Sequence, residues 1–357
     1  MRTPRSLVVL SLATAILVAS ATVSVRPAFG FGTINGFGQR SEHERITRAA
    51  LACPAGVPSD GSCFEPKSID QLAGKTGTFG AVGSPDSDEI FNSAAHCDNA
   101  DFLNAPGYPQ TRAQATAQLQ ACVNHLRMRF GQGRTAAAAL LKPDETLDSD
   151  QVDLTTDCTF IGGFAGRAKC NTIEGFGRAL HGIQDFYSHS NWADTAGPGP
   201  ITIDNPPGLN LPAPSPILDL PGTAAISVPL DLTTGFFKTR LGIPRDNCPA
   251  TNGRITHACL NKDNALIDPT SGLATDPTTP RGRVGTNVQK AVTGAIVETR
   301  QQWAEFRVAL IATYGVERGK QMISALTQDV PKLNLTDTTS NMADDIDAVQ
   351  RPPAAAR

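Results

Sequence analysis

Apolar residues recur at helical intervals in five stretches of this chain, while the period-two alternation of a half-buried strand is scarce. The stretch SEHERITRAAL opens with Ser41 and Glu44 at capping-box spacing, followed by Ile46, Ala49 and Ala50, and predicts a helix starting at about Ser41. Between residues 111 and 130, Leu119, Cys122, Val123, Leu126 and Phe130 form an apolar stripe, with His125 turned away from it toward solvent. Residues 172–192 make a third helix. Residues 284 to about 313 make a long fourth, with Ile296, Trp303, Phe306 and Leu310 among its apolar positions, and residues 316–326 a shorter fifth. Residues 198–222 hold too many prolines for a helix and read as the centre of a surface excursion over 195–232, with an edge strand near 226–232. The expected fold is mainly α, a helical bundle with long loops over residues 31–335, ending in a polar tail over 336–357.

The first residues change the picture of where the chain works. Arg2 and Arg5 precede an apolar run over 7–18 and then small residues, the layout of a secretory signal peptide and too short to span a bilayer well. Cleavage fits after Ala21 or after Gly30. Removing residues 1–30 takes away Arg2, Arg5 and Arg26 and no acid, which moves the formal charge from −3 to −6. A mildly acidic chain has no general attraction for double-stranded nucleic acid or anionic lipid, and no later segment is apolar enough for transmembrane anchoring. In an oxidising compartment the eight cysteines, falling as 53/63, 97/122, 158/170 and 248/259, most simply form four local disulfides. The rival reading is a thiolate metal site, which typically brings close pairs such as CxxC, and the chain has no CxxC.

Candidate chemistry concentrates in LHGIQDFYSHSNW. At about 100° per residue, His181, Asp185 and His189 drift by only about 80° and share one helix face. Ile173, Phe176, Leu180, Ile183 and Tyr187 lie roughly opposite. Neutral imidazole and carboxylate at this spacing reach one metal ion or two adjacent ones. A solvated polar ladder is the plainer reading, but only six histidines exist in the chain and the motif runs directly into Asn191-Trp192. His43 and His96, in SAAHCDNADF, are further candidates. The chain lacks G-x-S-x-G, HExxH and a phosphate-binding glycine loop, which sets aside the chemistries those motifs support.

ALHGIQDFYSHSNW resembles the signature of the Het-C proteins, secreted or membrane-associated proteins of fungal heterokaryon incompatibility, and of related bacterial proteins called CinY. AFGFGTINGFGQRSEHERI is similar to the Het-C opening, and CLNKD to a further block. More remotely, the helical make-up and the His-x-x-x-Asp pair resemble zinc-dependent phospholipase C and the single-strand-specific zinc nucleases. That resemblance implies a bundle of the same type and a zinc cluster in which Asp185 bridges two ions. His181 would join it with His96 and either Asp86 or Asp88. His43 would hold a second ion beside the amino group of Phe31, which favours cleavage after Gly30, and His189 would serve a third. The family's further His and Glu have only His257 and Glu298 as stand-ins here, so two ions are expected before three.

The implied function is a secreted zinc-dependent hydrolase of phosphoesters, with phospholipid ahead of nucleotide as substrate. Asp86 or Asp88 would act as general base and Arg178 would steady the phosphate. The alternative is a non-catalytic extracellular binding or accessory protein, since no activity follows from the Het-C resemblance.

Overall fold

A computed structural model describes residues 31–331 apart from 37–38, 162–165, 238, 241–242, 245 and 251. The leader over 1–30 and the tail over 336–357 lie outside the described residues. The fold is mainly helical, as the periodicity predicts. In order come α1 (Glu42–Leu51), α2 (Pro66–Ala73), α3 (Gly80–Gly83), α4 (Pro85–Asp88), α5 (Arg112–Ala136), α6 (Ser149–Val152), α7 (Ala168–His189), α8 (His257–Leu260), α9 (Asn287–Tyr314) and α10 (Val316–Thr327). Strands among the described residues are two residues long and pair as the antiparallel hairpins Asn35–Gly36 with Gln39–Arg40, Thr239–Arg240 with Ile243–Pro244, and Leu266–Ile267 with Ala274–Thr275.

α7 is the axis of the molecule. It packs on α5, α9 and α3, and every one of its residues except Asn171 is buried. The expected division into an oily side and a ligand side holds, but both sides face protein. Such burial requires small residues where backbones meet. A Cβ on Gly175 would lie 2.3 Å from the Gly133 nitrogen of α5. One on Gly182 would lie 2.5 Å from the Ala95 carbonyl oxygen, so this glycine lets the loop carrying His96 close onto α7.

Several local expectations are corrected. Ser41 does not cap α1: it has φ 52° and makes no side-chain cap bond. Glu42 instead draws the chain back on itself, with Oε2 accepting from Gly32 N at 2.8 Å and Arg40 N at 3.1 Å. The capping box forms at α5, between Thr111 and Gln114. His125 is not solvated, since its Nε2 lies 2.9 Å from Glu89 Oε2. No strand forms over 226–232. The proline-rich excursion is not confined to the surface either: Ile217, Leu218, Leu220 and Leu232 are buried in the core. Gln302 of α9 donates to the Leu218 carbonyl at 2.8 Å.

The four sequential disulfides are all formed: Cys53–Cys63, Cys97–Cys122, Cys158–Cys170 and Cys248–Cys259. No described helix is long and apolar enough to cross a membrane.

Candidate metal centre

Asp185 is fully buried at the centre of a group of histidines, and its two carboxylate oxygens face different neighbours. Oδ2 lies 3.0 Å from His96 Nδ1 and 3.1 Å from His181 Nε2. Oδ1 lies 3.3 Å from His43 Nε2, accepts from Phe31 N at 3.2 Å, and is 3.8 Å from His189 Nε2. Asp86 closes the first group, with Oδ1 3.7 Å from His181 Nε2 and Oδ2 accepting from Thr33 Oγ1 at 2.5 Å.

The outer nitrogens of the imidazoles are anchored. Nδ1 pairs with Gln184 Oε1 at 2.8 Å in His43, with the Val82 carbonyl at 2.9 Å in His181, with Asp98 Oδ1 at 2.9 Å in His189 and with Asp246 Oδ2 at 2.8 Å in His257. An oxygen acceptor at Nδ1 places the proton there and leaves the Nε2 lone pair facing inward, the arrangement that metal-ligating histidines share. His96 is reversed and presents Nδ1.

Three groups of side chains offer ligand atoms within 4.8 Å of one another and suit a metal ion: His43, His181 and Asp185; Asp86, His96 and His181; and Asp98, His189 and His257. Asp263 Oδ2 lies 3.8 Å from His257 Nε2 beside the third. A fourth group joins Asp204 to Cys248 and Cys259, but those sulfurs are bonded to each other and are not thiolates. Among the described residues His43 Nε2, His189 Nε2, Asp86 Oδ1 and Asp263 Oδ2 are buried without a hydrogen-bond partner. Buried polar atoms are normally satisfied, so their gathering here fits a bound cation.

The electrostatics agree. Burial pushes Asp185 up, but the imidazoles of His181, His189 and His43 hold it well below the usual carboxylate range. Burial pushes His96 down, yet the hydrogen bond and charge of Asp185, with Asp86 and Asp98, bring it to about 9. At His257 burial is likewise outweighed, by Asp246 first and then Asp98 and Asp263, giving about 10. Burial dominates at His181, which is lowered, and at Asp263, which is raised. The acids thus attract positive charge that the cluster holds as protons when no ion is bound.

The structure brings together His43, His96, His181, Asp185, His189, Phe31 and Asp86. Two candidates fall elsewhere. Asp88, two residues after Asp86 on α4, points to another side and binds Arg178 bidentately at 2.8 and 2.7 Å. Arg178 also donates to Glu89, Glu174 and the Phe160 carbonyl, and its side chain is 2 % exposed. These contacts make the pair a structural tie between α4 and α7 and do not place Arg178 as a phosphate ligand. Glu298 is also elsewhere, accepting from Tyr187 Oη at 2.9 Å and Ser215 N at 2.7 Å. Its companion stand-in, His257, is in the site. Asp98, Asp246 and Asp263 were missed by sequence reading. Their signal is adjacency, since Asp98 follows His96 by two residues and Asp263 closes the CLNKD block.

No family model, curated protein or solved structure matches this chain.

Proposed function

We propose that this protein is an exported zinc-dependent hydrolase of phosphoesters, with phospholipid ahead of nucleotide as its substrate class. The observation that carries the reading is the split carboxylate of Asp185, one oxygen toward His96 and His181 and the other toward His43 and Phe31 N. That is how one acid serves two neighbouring ions. A donor set of imidazole and carboxylate without free thiolate suits zinc. The three groups would take up to three ions, and Phe31 N would join His43 as a ligand when Phe31 is the first residue of the mature chain. Bound there, the ions supply Lewis acidity toward a phosphoryl oxygen and acidify a coordinated water to a pKa of about 7.

The chain's own residues hold that centre in place. Val82, Gln184, Asp98 and Asp246 fix the imidazole tautomers, and Thr33 steadies Asp86. Asp86 is then a ligand instead of a free base. A second reading, a non-catalytic extracellular protein stabilised by its metal, draws on the burial of the ligands: Asp86, among the most open of them, has a side chain only 10 % exposed. One experiment separates the two. Mature protein is assayed against bis-p-nitrophenyl phosphate and phosphatidylcholine vesicles before chelation, after it, and after zinc is restored. Turnover that follows the metal supports the hydrolase. A metal-dependent melting temperature without turnover on either substrate supports the second reading.

A further inference from the structure

Two of the disulfides run through the candidate ligand set. Cys97 stands between His96 and Asp98 and is bonded to Cys122 of α5. Cys248 and Cys259 each follow, by two residues, one member of a hydrogen-bonded pair, Asp246 and His257. Asp246 Oδ2 pairs with His257 Nδ1 at 2.8 Å, and Asp246 Oδ1 accepts from Ala258 N at 2.7 Å. The disulfide thus closes the loop whose closure brings Asp246 onto His257. Without a crosslink, chain entropy opposes that closure. The two disulfides differ in access. Cys97 and Cys122 are 0 % and 1 % exposed, whereas Cys248 is half-buried and within reach of a reductant.

We propose that Cys248–Cys259 is a redox control on the third ligand group, with Asp246 as the positioning residue through which it acts. The inference rests on the metal-centre reading given above. When the bond is formed, Asp246 holds the His257 Nδ1 proton and turns Nε2 toward Asp98 and His189. When it is reduced, the loop is released and the ion of the third group is lost, while the groups around Asp185 keep theirs. Closing the bond takes two electrons and two protons from the two thiols. An exchange partner carrying its own disulfide accepts them and leaves as a dithiol; a dithiol reductant drives the reverse. A chain held in a reducing compartment therefore carries an incomplete centre, which is completed on export.

The test measures zinc per chain and zinc affinity, by competition with a chromophoric chelator, in wild type, Cys248→Ser/Cys259→Ser, Asp246→Ala and the control Cys53→Ser/Cys63→Ser. Wild type and control should hold three ions. The other two variants should bind one of the three about 10–100-fold more weakly. Unchanged affinity for all three ions in Cys248→Ser/Cys259→Ser overturns the proposal, whereas absence of zinc from oxidised wild type overturns the metal-centre reading itself. If the serine variant fails to fold, loaded wild type is titrated with a phosphine reductant while zinc release and thiol alkylation are followed together. Release of one zinc in step with alkylation of Cys248 and Cys259 supports the control, and release that ignores those thiols contradicts it.

Discussion

Asp185 keeps its charge in a fully buried position because imidazoles surround it, and the same contacts load His96 with a proton up to about 9. His257 holds its proton up to about 10. Both values lie above the ordinary histidine value, so near neutral pH the metal-free protein carries protons that an ion must displace. Apparent zinc affinity should therefore rise with pH through the range from about 7 to about 10. Calorimetric titrations in two buffers of different ionisation enthalpy should give different heats; equal heats would show that no proton leaves.

Arg178 and Glu298 lead to predictions of a different kind, because neither touches the cluster. Arg178→Ala strands the buried carboxylate of Glu174 and should cost about 3–5 kcal/mol in a denaturant midpoint experiment, with zinc content unchanged. Burial raises Glu298 from 4.5 to about 7, against the hydrogen bonds from Gln302, Ser215 and Tyr187. Its folded form binds the proton more tightly than the unfolded form. The stability this gives is complete below about 4.5 and is lost as pH rises through about 7. Glu298→Gln should remove that loss, so the melting temperatures of the two proteins should diverge across this interval. Parallel profiles would contradict the shift.

His181, Asp185 and His189 were legible in the sequence, because regular spacing fixes which side chains share a face. Asp86 and Asp88 were not distinguishable there, since they sit on a single turn of helix too short to show a period. Asp98, Asp246 and Asp263 come from loops, where tertiary contacts decide direction, so nothing periodic announced them.

Among the elements, α7 was read with His181, Asp185 and His189 on one face, yet the burial of all but Asn171 was not foreseen. The reason lies in its glycines, which carry no hydrophobic signal but set how near α5 and the His96 loop can come. Gly182→Ala should push the Ala95 carbonyl away, cost about 1–3 kcal/mol through overpacking, and weaken zinc binding through His96. Zinc affinity equal to wild type in a destabilised Gly182→Ala would show that the loop is not placed by this contact. The excursion over 195–232 illustrates the opposite failure. Its prolines exclude a helix correctly, but Ile217, Leu218 and Leu220 reach the core without any periodic pattern to mark them.

For the molecule as a whole, the mainly helical fold, the four local disulfides and the buried cluster fit a chain that is oxidised and loaded outside the reducing interior of a cell. Every ligand group either contains Asp185 or lies against it, since His189 of the third group is 3.8 Å from its Oδ1. One substitution should therefore empty most of the centre. The direct measurement is the zinc content, by plasma mass spectrometry, of mature wild type and of Asp185→Asn prepared side by side and checked for equal helix content. Wild type should carry three zinc ions per chain, and the variant should lose those around Asp185. A wild type without metal, or a variant with the same stoichiometry, would contradict the shared-carboxylate centre.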